Sequence, residues 1–214
     1  MSFEVGAIPA LALILVSSVL LLLSSDWRVS VVTLASQYLG AFMLIALSWP
    51  LALAVSQLVA GWIAGAALGM AMIGLQGWRA ATASEAPKAA SPRPAGSHRL
   101  RIHPKLIFQM AAAVLVILTI STLVGRLGAV LGGLRPEIVW GCLILVGMGI
   151  LKLGFNASPF PITIGLLTFL SGFIILYASL ETSTAVAGLL AVIVLGLAIA
   201  GAYLVNVPAM EEEE

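Results

Sequence analysis

Of the chain's 214 residues, 61% are hydrophobic and only 9% are charged, against about 25% charged in an ordinary soluble domain. No soluble fold of this length has interior enough to hide so much apolar surface, so lipid must be the solvent for most of the chain. The net charge of +1 offers no field that would draw nucleic acid, and the single Cys142 excludes an intrachain disulfide.

A spanning helix needs about 20 mostly apolar residues. The residues before Ala7 include Glu4 and no Lys or Arg, so no secretory leader is expected there. The first apolar run, Ala7 to Ser25, therefore reads as a retained helix, closed by Asp26, Trp27 and Arg28. The second run is Val29 to Ser48, closed by Trp49 and Pro50, and the third is Leu51 to Leu75. From Gly77 to Pro104 the composition shifts to Ala, Ser, Pro and Arg without apolar periodicity, which predicts a flexible loop. Lys105 to Val124 is the fourth run, and Arg126, Arg135 and Pro136 mark a short connection. Glu137 to Leu153 is the fifth run, and Asn156, Ser158, Pro159 and Pro161 then break the chain. The sixth is Ile162 to Ser179, interrupted around Glu181, and the seventh is Ser183 to Val207, stopped by Pro208. Lipid demands internally satisfied backbone, and barrel strands alternate over roughly ten residues. Runs of this length that are apolar on all sides are helices. The expected fold is all-α and polytopic, with about seven transmembrane helices. Its units are a three-helix unit over 1–76, a basic loop over 77–104, a connecting helix over 105–124, a second three-helix unit over 125–207 and an acidic tail over 208–214.

Lysines and arginines orient such a chain. With seven spans, Arg28, Arg79, Lys88, Arg93, Arg99, Arg101, Lys105 and Lys152 fall on one side, and Arg126 and Arg135 on the other. The first side is expected to be cytoplasmic, with the C-terminus there and the N-terminus outside the cell's inner membrane. The two triplets share a plan. At an offset of 132 residues Leu34 meets Leu166, Gly40 meets Gly172, Leu44 meets Leu176 and Gly69 meets Gly201. Triplets joined directly would be inverted, and the fourth helix restores a parallel repeat.

Ionisable groups in lipid are costly and mark function by default. The runs hold almost none. Lys152 lies near the end of the fifth run, where its stem can snorkel to the interface, against the sharper reading of a place on an ion path. Glu181 reads as a solvated or capping residue. The uncharged Gln37 and Gln57 lie within the second and third runs, and each amide needs a partner. Both serve interhelical packing on the plain reading. On the sharper one, Gln37, Gln57 and Lys152 border a hydrated polar path. Gln57, Gly61, Gly65 and Gly69 recur every four residues, so they share a helix face and predict a small-residue packing seam. His98, Arg99, Arg101, His103 and Lys105 form a basic juxtamembrane patch suited to anionic lipid or an acidic partner. No catalytic set, cofactor motif or metal-ligand spacing is present, so neither an enzyme nor a cofactor or metal protein is expected.

Arg28-Val29-Ser30 with Leu34-Ala35-Ser36-Gln37-Tyr38-Leu39, and Asn156 with Ile164-Gly165 and Gly172, resemble component E of the group-4 membrane hydrogenases. That family is related to the small antiporter-like subunits of respiratory complex I, of the NuoK and MrpC type. The resemblance extends to the three-plus-one-plus-three helix plan. It implies membership in an ion-translocating assembly with antiporter-like membrane partners. It also implies a membrane Glu just before Gly172 and an acidic residue early in the seventh helix. Leu170 and Ser171, and Ala187, stand there instead. The expected function is a non-catalytic scaffold or lateral-helix subunit of a complex I-like, hydrogenase-like or cation-antiporter assembly. The alternative is a small secondary transporter built from two three-helix repeats.

Overall fold

The computed structural model describes residues 6–85, 104–130 and 134–211. They form seven helices: α1 Ala7–Leu23, α2 Trp27–Ile45, α3 Leu51–Glu85, α4 Pro104–Val130, α5 Pro136–Phe155, α6 Pro159–Leu180 and α7 Thr184–Glu211. Six are long and apolar enough to cross a membrane; α1, at 17 residues, is shorter than that. The chain is an all-α polytopic membrane protein.

Local chemistry sets the ends. Pro136 and Pro159 open α5 and α6, where the missing N–H would be unpaired in any case. Short connections at 24–26, 156–158 and 181–183 return the chain antiparallel. Three helices outrun their apolar stretches. α3 continues through Gly77 to Glu85, so the first part of the expected 77–104 loop is helical. Its Ala-rich end meets no proline before Pro87, and Thr82 bonds back to the carbonyls of Trp78 and Arg79 at 3.2 Å. At 35 residues α3 is roughly 50 Å long, well beyond the hydrocarbon core. α4 runs to Val130, placing Arg126 on a helix rather than in a connection. α7 passes Pro208, the expected stop, and reaches Glu211.

α1, α2, α5 and α6 make the centre of the bundle. α3 and α7 pack on each other and flank it on the side of α2 and α6, and α4 lies against α5 and α1. Each helix of the first triplet thereby touches its counterpart in the second: α1 on α5, α2 on α6, α3 on α7. Burial follows position. The span of α6 is 56% buried and that of α4 only 17%.

Between helices in lipid, close packing rather than hydrophobicity drives association. The tightest seam joins α5 to α6. A β-carbon on Gly149 would stand 2.6 Å from the backbone nitrogen of Phe169, and one on Gly172 would stand 2.8 Å from the carbonyl of Cys142. Only glycine permits that approach. The Gln57–Gly69 face behaves differently along its length. Gly61 lies against the Tyr38 ring, which occupies the space a side chain would need. Gly69 meets Val31 at an ordinary 3.8 Å, and nothing lies within 4 Å of a β-carbon at Gly65. The neighbour of this face is thus α2 of the same chain at Gly61 and Gly69, with an opening between them.

Candidate functional site

Two polar zones interrupt the apolar bundle. The first runs from mid-bundle, at Gln37 of α2 and Ser171 of α6, toward the end where α3 and α7 begin, at Gln57 and Ala187. Gln37 is fully buried on α2, and its Nε2 donates to Ser171 Oγ on α6 at 3.3 Å. The Ser171 hydroxyl is already donating to the Thr168 carbonyl at 2.7 Å, so it can only accept from Gln37. One residue along α2, the Tyr38 hydroxyl donates to the Leu167 carbonyl at 3.4 Å. Gln57, 2% exposed on α3, donates from Nε2 to the Ala187 carbonyl of α7 at 2.7 Å. A backbone carbonyl only accepts, so this amide's orientation is also fixed.

Both glutamines are left with an unpartnered carbonyl oxygen, and the buried Ser18 hydroxyl has no partner either. A small cavity of about 10 Å³, lined by Tyr38, Gln57, Ser171 and Ile174 among others, lies beside Gln57. That is room for about one water molecule. Gln37, Ser171 and Gln57 make up one small polar knot, in which Ser171 accepts from Gln37 and shares the cavity wall with Gln57. A connected aqueous channel would need far more space.

The second zone is a crevice of about 480 Å³ at the bundle end that carries the α1–α2 and α5–α6 turns. Lys152 lines it and is 3% exposed. Its stem turns inward against α1 instead of snorkelling outward, and Nζ donates to the carbonyl of Leu21. That carbonyl is in the last turn of α1, where no intrahelical donor remains and the helix dipole favours a cation. The sequence left this orientation open because the partner is a backbone atom. Around Lys152 stand Ser24, Ser25, Ser30, Gln109, Asn156 and Ser158. Asn156 closes α5 by donating to the Lys152 carbonyl at 3.0 Å. Ser24 Oγ donates to the Asp26 carbonyl at 3.1 Å, and Ser30 Oγ donates to Ser24 Oγ at 3.5 Å. Lys152 and the two glutamines thus lie in separate zones.

Lys152 is the one Lys, Arg, His, Asp or Glu buried among the described side chains. Those side chains include no group of three His, Cys, Asp or Glu able to hold a metal ion. Glu181 is the exposed C-cap of α6, and its carbonyl accepts from Trp49 Nε1 at 2.7 Å. His98, Arg99, Arg101 and His103 lie outside the described residues, and Lys105 belongs to the first turn of α4.

Sequence reasoning met Ser171 only as a position without the implied carboxylate, and it missed Ser18 and Gln109. Gln109 could have been found by the rule that singled out Gln37 and Gln57, an amide inside an apolar run. The serines carry no such signal, because a hydroxyl can bond its own helix backbone and vanish into an apolar stretch. No protein-family model, curated protein or solved structure matches the chain.

Proposed function

We propose that the chain is a non-catalytic membrane subunit of a multi-subunit ion-translocating assembly of complex I-like, hydrogenase-like or cation-antiporter kind. It sits in the cytoplasmic membrane with its N-terminus outside. The observation that carries this reading is the neutrality of the polar knot. At the positions where the resemblance implies membrane carboxylates, Ser171 accepts from Gln37 and the Ala187 backbone accepts from Gln57. Amides and hydroxyls hold helices together but neither gain nor lose a proton near neutral pH. A relay through the bilayer centre would need groups that do. The counterpart pairing of α1 with α5, α2 with α6 and α3 with α7 supports a parallel duplication serving as a scaffold.

Affinity purification of the chain at native abundance in a mild detergent tests this reading. Recovery with large antiporter-like membrane subunits is expected, and isolation of the chain alone would overturn it. A small transporter is the second reading, favoured by the crevice between the two triplets. Solute uptake by vesicles holding only this chain would select it.

A further inference from the structure

We propose that the crevice around Lys152 is a binding site for a phosphate-class oxyanion, presented either by an anionic phospholipid headgroup or as a free ion. This goes beyond the subunit reading and does not depend on it. Four observations meet there.

Lys152 supplies a buried positive charge, and the Leu21 carbonyl takes only one of the three ammonium donors. The residues lining the crevice include no carboxylate that could balance it. The nearby Asp26 is exposed and lines a different recess with Arg28 and Gln76. A buried cation without an anion is costly, and an incoming anion removes that cost.

Gln109 of α4 adds an uncharged donor. It is 5% exposed, lines the crevice and makes no hydrogen bond to a described residue. The hydroxyls of Ser24, Ser25, Ser30 and Ser158 and the Asn156 amide surround the same space. Ser24 and Ser30 already donate their hydroxyl protons to the Asp26 carbonyl and to Ser24, so the donors left for an anion are Lys152, Gln109, Ser25, Ser158 and the second N–H of Asn156, from the α1–α2 turn, α4, α5 and the α5–α6 turn.

Size and place then favour a headgroup as the bearer. The volume of about 480 Å³ falls in the range of small-molecule sites and far exceeds one phosphate. Leu22, Leu23, Leu106, Phe160, Pro161 and Ile164 complete the lining, so the space offers apolar surface as well as polar groups. Basic pockets between helices at a membrane face accommodate phospholipid headgroups in this way.

The test uses the full chain, delipidated in a neutral detergent, followed by thermal unfolding and native mass spectrometry. Phosphatidylglycerol, phosphatidylcholine and inorganic phosphate are titrated in turn. Wild type is expected to gain stability and retain bound lipid with phosphatidylglycerol but not phosphatidylcholine. Lys152→Met is expected to weaken that binding by roughly tenfold, as loss of a charge-assisted contact implies. Lys152→Arg should keep most of it. If inorganic phosphate alone protects wild type but not Lys152→Met, the site stands and its ligand is the free anion. Gln109→Leu lies on the lightly packed α4 and provides a second variant if Lys152→Met does not fold; a several-fold loss is expected. No response of wild type to either anion, or equal binding by wild type and the variant that folds, would overturn the proposal.

Discussion

Gln57 on α3 donates a 2.7 Å hydrogen bond to the backbone carbonyl of Ala187 on α7, and its own carbonyl oxygen is left buried without a partner. The residue therefore both ties and burdens the α3–α7 pair. Replacing it with leucine removes the bond and the orphaned oxygen together. Interhelical hydrogen bonds in membranes average about 0.6 kcal/mol, and an unmet buried acceptor costs about 1–3 kcal/mol. Gln57→Leu should therefore change stability by less than about 1 kcal/mol. Gln57→Ala, which also leaves a cavity, should lose about 1–3 kcal/mol. Thermal or denaturant unfolding in detergent micelles measures both.

Gly61 and Gly65 share a helix face but not an environment. A methyl at Gly61 collides with the Tyr38 ring, whereas one at Gly65 enters open space. Gly61→Ala should destabilise by about 1–3 kcal/mol, the usual cost of overpacking. Gly65→Ala should be neutral or stabilising by up to about 1 kcal/mol through helix propensity.

The α5–α6 seam should tolerate least. At Gly149 and Gly172 the obstructing atoms are backbone, which cannot rotate aside. Gly149→Ala and Gly172→Ala are each expected to cost more than about 3 kcal/mol or to prevent recovery of folded chain. Retention of wild-type stability would show that the two helices can separate without penalty.

The separation of the two polar zones predicts a sharp boundary in water access. Cys142 is the sole cysteine and is buried, so Cys142→Ala provides a silent background for scanning. On it, Ser25→Cys at the exposed rim of the crevice should react quickly with a water-soluble thiol reagent. Ser171→Cys, 1% exposed beside the single-water cavity, should react slowly or not at all. Equal labelling rates would reveal a continuous aqueous route.

Much of the architecture was legible in composition, because runs of about 20 apolar residues permit little besides a helix. The ends of α3, α4 and α7 were not. Gly77, Gly125 and Pro208 look like stops, yet each helix carries on past them where the following residues suit a helix and little opposes it. Helix faces were harder still, since in lipid both the packed and the exposed side of a span are apolar and the 3.6-residue pattern fades. Gln37 and Gln57 were visible as costly amides. Their partners were not, since Ala187 contributes only a carbonyl and Ser171 a hydroxyl that any apolar helix can carry. The inward turn of Lys152 was hidden for the same reason, because Leu21 holds it through the backbone.

The role proposed for this chain is to brace an ion-translocating assembly without itself carrying the ion. Proteoliposomes reconstituted with the purified chain alone, loaded with a pH-sensitive dye and driven by an imposed potential, test it most directly. Proton flux indistinguishable from that of protein-free vesicles is the result expected. A flux that the chain supports by itself, and that Lys152→Met abolishes, would contradict it.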